Sequence, residues 1–150
     1  MRKIQSFVKR SGRLTASQEK GLTELWDDYA IAPSGLLDFA KIFANVQEVV
    51  LEIGFGNGDT LVEMAENNPQ FNYVGIEVYE AGIGRLINSA HTKQLANLKV
   101  MRGDAVEFLN ANIADDSLAG LQLFFPDPWH KKKHHKRRIV QQDFLDLIAK

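Results

Sequence analysis

From residue 48 onward the apolar positions switch between two spacings. Val49-Val50-Leu51-Glu52-Ile53 is a short apolar run, rich in β-branched residues and broken by one acid, which suits a central strand covered on both faces. Leu61, Val62, Met64 and Ala65 then recur at helical spacing. The same alternation repeats down the chain. It predicts strands over Glu48–Ile53, Asn72–Val78, Lys99–Arg102 and Gly120–Phe125, and helices over Thr60–Asn67, Ala81–Gln94, Ala105–Asn110 and Ile139–Ala149. In the last helix Val140, Phe144, Leu145 and Ile148 are expected to face inward. Ahead of the first strand, Leu22, Leu25, Trp26 and Tyr29 predict a helix over Ala16–Tyr29. Pro33-Ser34-Gly35 predicts a turn, and Leu36 to Phe43 a second short helix. Strands alternating with helices predict an α/β fold, a doubly wound parallel sheet with right-handed crossovers.

The connection after the first strand carries the first chemical signal. Gly54-Phe55-Gly56-Asn57-Gly58-Asp59 reads as a glycine turn entering a helix, with Asp59 as its expected N-cap. Dinucleotide-binding turns read G-x-G-x-x-G and place a pyrophosphate on the helix N-terminus. Here the spacing is G-x-G-x-G and Glu52 stands two residues earlier. A carboxylate there repels a pyrophosphate and attracts an ammonium. S-adenosylmethionine carries an α-amino group and a sulfonium, so the turn reads as an E-x-G-x-G-x-G methyltransferase signature. A plain strand-to-helix glycine turn is the bland alternative.

Composition changes this picture little, but charge changes it more. The chain has 150 residues, 45% hydrophobic and 25% charged, enough for one domain with a core. No apolar run reaches the roughly 18 residues of a membrane span, and no signal-peptide core follows Met1. A cytoplasmic protein that binds no membrane is expected. There is no cysteine, which removes disulfides and thiolate metal sites. The net charge of −1 hides an uneven distribution. Residues 1–13 hold five Lys/Arg and no acid, and residues 131–138 hold six and no acid. Residues 14–130 hold six Lys/Arg against seventeen Asp/Glu. Two basic stretches on an acidic body point to local anion binding, with nucleic acid the first candidate. The amino-terminal stretch reads as a solvated tail, a targeting peptide, or an arm that orders on a polyanion. Residues 1–35 are expected to form a basic arm and helix, and residues 36–150 the sheet domain.

In open α/β sheets ligands bind beyond the carboxyl ends of the strands, and every predicted strand end here carries a candidate. Gly54 and Gly56 end the first strand. Glu77, in Gly75-Ile76-Glu77-Val78, ends the second and is placed to accept from ribose hydroxyls. Asp104, in Gly103-Asp104-Ala105, ends the third and suits either an adenine amino group or a helix cap. The fourth ends in Phe124-Phe125-Pro126-Asp127-Pro128-Trp129-His130, where prolines restrict the backbone on both sides of Asp127. Lys131 to Arg138 follow as an uninterrupted basic run. A rigid acid, an aromatic and a basic run suit a base held in a pocket with its phosphates outside; a turn plus a solvated charge run is the alternative. His130, His134 and His135 are not expected to hold a metal, because no cysteine or acid accompanies them.

These motifs together, with Ser6-Phe7-Val8-Lys9-Arg10 and Gly12-Arg13-Leu14-Thr15 at the amino terminus, resemble the bacterial tRNA (guanine-N7-)-methyltransferases over essentially the whole chain. The resemblance implies transfer of a methyl group from S-adenosylmethionine, leaving S-adenosylhomocysteine, to N7 of a guanine in the tRNA variable loop. Carried over by motif, Glu52, Gly54, Gly56, Glu77, Asp104 and Asp127 belong to the cofactor site. Asp127 is the active-site acid and Lys131 lies at the substrate. Lys133, His134, His135, Lys136, Arg137 and Arg138 lie on the RNA. The class usually completes seven strands, so the expected fold is a Rossmann-like class I S-adenosylmethionine-dependent methyltransferase truncated after the fourth strand and its following helix. A methyltransferase for another RNA or a protein, a non-catalytic RNA-binding fragment, and, less consistent with Glu52, a nicotinamide-dependent oxidoreductase are the rivals. The oligomeric state is not readable.

Overall fold

The computed structural model describes residues 5–8 and 12–150. Arg2, Lys3, Lys9 and Arg10 of the expected basic arm lie outside the described residues. Three short helices lead in: α1 (Ala16–Thr23), α2 (Trp26–Tyr29) and α3 (Phe39–Phe43). Then come β1 (Val49–Ile53), α4 (Asp59–Asn67), β2 (Asn72–Glu77), α5 (Glu80–Thr92), β3 (Leu98–Arg102), α6 (Ala105–Ala111), β4 (Gly120–Leu123) and α7 (Gln142–Ile148). The strands pair in parallel in the order β3-β2-β1-β4. The expected α/β parallel sheet is therefore present, with each strand within a residue or two of its predicted bounds.

Period-two alternation sorts the side chains into two layers. Tyr73, Leu98 and Val100 pack with Leu61, Val62, Ile83, Leu86 and Ile87 of α4 and α5 on one face. Leu51, Ile53, Val74, Ile76 and Met101 pack with Phe43, Ala105, Leu109 and Phe144 on the other. Burying each large apolar side chain is worth about 1.5–3 kcal/mol. α1 lies across α5 at very close range. A Cβ built on Gly84 would stand 2.2 Å from the Gln18 carbonyl oxygen, and one on Gly21 2.2 Å from that of Gly84.

Three expectations need correction. The helix predicted over Ala16–Tyr29 is two helices. α1 is fixed by a capping box between Thr15 and Gln18 and ends before Leu25, which turns into the core. The chain then docks on the edge of β3, where Ala30 bridges Val100 and the Ile31 N–H donates to the Val100 carbonyl at 2.8 Å. That covering of a sheet edge overrides local helix propensity. Second, Asp59 is not the N-cap of α4. Gly58 takes that position in a left-handed conformation (φ 77), and Asp59 pairs instead with Arg85 at 3.0 and 3.1 Å. Third, α7 buries Phe144 and half-buries Leu147, while Val140, Leu145 and Ile148 are exposed. Its start is delayed because the Gln141 side-chain amide donates to the carbonyls of Lys136 and Arg138.

Candidate active site

β1 to β2 to β3 winds one way across the sheet, and the next strand, β4, returns to the other side of β1. The carboxyl ends of β1 and β4 therefore flank a topological switch point, where such sheets open a crevice. A cavity of about 630 Å³ lies there. Its walls include the glycine turn, the end of β2, Gly103 and Ala105, Leu123 at the end of β4, and Phe124 to Asp127 after it.

The turn is built by backbone geometry. Gly54, Gly56 and Gly58 all take positive φ (72, 61 and 77), a region that L side chains seldom enter. A Cβ on Gly54 or Gly56 would meet nothing within 4 Å, so the space above these residues is open cavity. The turn is pinned from behind. The Gly54 N–H donates to the Ile76 carbonyl at 2.8 Å. Phe55 folds back over Gly75, where a Cβ would stand 2.5 Å from its ring. Gly82 of α5 presses on the Gly56 carbonyl, and a Cβ there would come within 1.8 Å of that oxygen.

Glu77 does more than end β2. One carboxylate oxygen accepts from the Gly56 N–H at 2.8 Å, and the other from the N–H groups of Val78 and Tyr79 at 2.7 and 3.1 Å. Three of roughly four lone-pair positions thus hold the turn and the start of α5 in place. Glu52 is the opposite case. It is 4% exposed, it lines the cavity, and its Oε2 has no hydrogen-bond partner. Burial, and secondarily the charge of Glu77, push its carboxyl up to about 7. Its neighbour across the β1–β4 pairing, Gln122, also has a buried oxygen without a partner.

The structure brings Glu52, Gly54, Gly56, Glu77 and Asp127 to one cavity. Asp104 stands apart. Its Oδ1 accepts from the Val106 N–H at 2.9 Å and caps α6, while Gly103 and Ala105 on either side form the cavity wall. Asp127 is half-buried, and among the described residues its carboxylate has no partner. β4 stops at Leu123 because Phe125, with φ 46, leaves the extended region. The ring of Phe125 is fully exposed on the cavity rim.

The basic run is ordered as a 3₁₀ helix, Lys132–Arg137, which the sequence pattern did not reveal. Lys131 immediately precedes it, and Lys133, His134, His135 and Lys136 lie on it outside the cavity wall. His134 is held below the ordinary histidine range by desolvation and by the charges of Lys133, Arg137, Lys131 and Lys136. Arg138 donates through Nε to the Pro128 carbonyl at 2.9 Å, tying the helix to the Asp127 loop. Ser6, Phe7 and Val8 also wall the cavity. They stood in the sequence only as part of a family motif, with no local signal of where they dock. Among the described residues no group of three or more His, Asp or Glu is placed to hold a metal ion, and no helix is long and apolar enough to cross a membrane.

A family model described as "Putative methyltransferase" matches residues 46–150. The tRNA (guanine-N(7)-)-methyltransferase of Mannheimia succiniciproducens is 56% identical over 98% of this chain and 59% of its own length. That of Colwellia psychrerythraea is 52% identical over 99% and 61%. The chain thus spans about three fifths of the length of these relatives. A solved structure titled an antibiotic-related methyltransferase superposes on 74% of the chain and 55% of its own, with a TM-score of 0.52 at 19% identity, and supports the fold alone. The family model covers the whole sheet, and the chain belongs to the family it describes as "Putative methyltransferase".

Proposed function

We propose that the chain carries a site that transfers the methyl group of S-adenosylmethionine to N7 of a guanine in the tRNA variable loop. One observation carries the cofactor reading. Glu52 is a buried carboxylate with an orphaned oxygen in a glycine-lined cavity, and a buried acceptor calls for a donor. An α-ammonium supplies up to three N–H donors and a compensating charge. The open space above Gly54 and Gly56 allows a ligand to approach the backbone closely. Glu77 and the backbone beside Asp104 then border the nucleoside. The nicotinamide rival is disfavoured, since a pyrophosphate would sit beside two carboxylates.

The bound cofactor supplies an electrophilic methyl group on a sulfonium. Guanine N7 offers a free lone pair and carries no proton, so no general base is required. The residues need to hold the base in line and stabilise the positive charge that grows on it. Asp127 suits that role. Prolines fix its backbone, its carboxylate has no partner among the described residues, and it shares the cavity with Glu52. It accepts hydrogen bonds from the base and faces the developing cation. Lys131 and the 3₁₀ helix hold phosphates outside the cavity. The relatives' names support tRNA as the substrate.

The test is labelled methyl transfer to an unmodified tRNA transcript and to one with 7-deazaguanine at the variable-loop site. Transfer to the first alone is expected. Equal labelling of both would refute N7 as acceptor. Asp127→Asn should lose methyl transfer at least a hundredfold while S-adenosylhomocysteine affinity changes only a few-fold; parallel loss of both would place Asp127 in the cofactor site alone.

A further inference from the structure

The family resemblance places Arg137 on the RNA; in the structure it also makes contacts within the chain. Its Nε donates to the Gln5 carbonyl at 3.2 Å, and its guanidinium lies 4.0 Å over the ring of Trp129. The Trp129 indole N–H donates in turn to the Ser6 carbonyl at 2.9 Å. His134 meets the same ring in a T-shaped arrangement, with centroids 5.8 Å apart. Trp129 holds this position with φ 43, a left-handed conformation rare for a bulky side chain. Both acceptors are main-chain carbonyls. What is gripped is therefore the path of the backbone through residues 5 and 6, and residues 6 to 8 wall the cavity that also contains Glu52 and Asp127.

We propose that Trp129 and Arg137 are positioning residues that clamp Ser6–Val8 in place as a wall of the cofactor cavity. The proposal rests on the cofactor reading above and deepens it. A planar guanidinium suits the task where a lysine does not, because it stacks on the indole while donating in its own plane. Phosphate contact then falls to Lys131, Lys132, Lys133 and Lys136, whose ammonium groups have no partner among the described residues.

The clamp and a phosphate contact predict opposite results. Trp129→Phe keeps an aromatic ring under Arg137 and removes the donor. It should weaken S-adenosylhomocysteine binding about five- to tenfold by calorimetry, the usual effect of one hydrogen bond. Arg137→Gln should do the same and leave the salt dependence of tRNA binding unchanged, whereas Lys133→Ala should reduce that slope by about 0.7–0.9 and spare the cofactor. In a cycle with Phe7→Ala, Trp129→Phe should add little, because both act through one segment. Cofactor affinity equal to the original chain, an additive cycle, or a reduced salt slope in Arg137→Gln would overturn the clamp. Amide hydrogen exchange at residues 5–8 tests it independently of the cofactor. Faster exchange in Trp129→Phe is expected and unchanged exchange refutes the clamp, even if the original chain proved not to bind S-adenosylhomocysteine.

Discussion

Replacing Glu52 by Gln separates what this residue costs the fold from what it offers a ligand. The Glu52 carboxyl is raised from 4.5 to about 7, first by burial and then by Glu77. Because the folded value lies above the unfolded one, its favourable contribution is fully present below pH 4.5. It is lost as pH rises through about 7. At about 1.4 kcal/mol per unit, the loss between pH 5 and pH 8 comes to roughly 2–3 kcal/mol. For a chain of this size that corresponds to about 5–10 °C in Tm. Glutamine has the shape of the neutral acid and cannot ionise. Glu52→Gln should therefore melt close to the original chain at pH 5 and several degrees above it at pH 8. The same substitution removes the partner proposed for the cofactor ammonium. Added S-adenosylhomocysteine should accordingly raise Tm at pH 8 in the original chain and have little effect in Glu52→Gln. Calorimetric or fluorescence melts at four or five pH values measure both effects. A Tm difference that stays constant from pH 5 to pH 8 would refute the assignment of a buried carboxyl titrating near neutrality.

Gly82→Ala should impair cofactor binding although Gly82 is not part of the cavity wall, because its Cβ would collide with the Gly56 carbonyl; S-adenosylhomocysteine titration should show at least a tenfold loss. Gly84→Ala should instead lower Tm by forcing α1 from α5, at a cost of about 1–3 kcal/mol, as read in urea unfolding. Gly120→Ala, whose Cβ meets nothing within 4 Å, should leave both measurements near their original values. Phe144→Ala removes the one fully buried anchor of α7 and should cost about 3–5 kcal/mol in the same unfolding assay.

The strands were legible because β-branched runs, period-two burial and glycine turns coincide in them. Glu52 was legible as an anomaly, an acid in a run that wants none, and its burial explains why the position matters. Features set by distant contacts were not legible. Nothing near Leu25 announces that the chain must break its helix to reach Val100. Gly82 looks like an ordinary helix glycine until the Gly56 carbonyl is placed against it. Glu77 stood out as a strand-end acid, but its three backbone N–H partners depend on how the turn folds. Ser6 meets Trp129 across 123 residues of chain, and no local pattern encodes such a contact. The basic run was visible as charge, while its helical form and the commitment of Arg137 and Arg138 to backbone carbonyls were not.

The glycine turn, Glu52 and the Asp127 loop form the cavity proposed for S-adenosylmethionine. Isothermal titration with S-adenosylhomocysteine, run beside NAD at pH 6 and pH 8 in buffers of different ionisation enthalpy, tests it most directly. One saturable site is expected for S-adenosylhomocysteine and none for NAD. Binding should be tighter at pH 8 than at pH 6, with proton release at pH 6 as the ammonium draws Glu52 into its ionised form. Binding of NAD in preference, or no binding of S-adenosylhomocysteine at either pH, would contradict it.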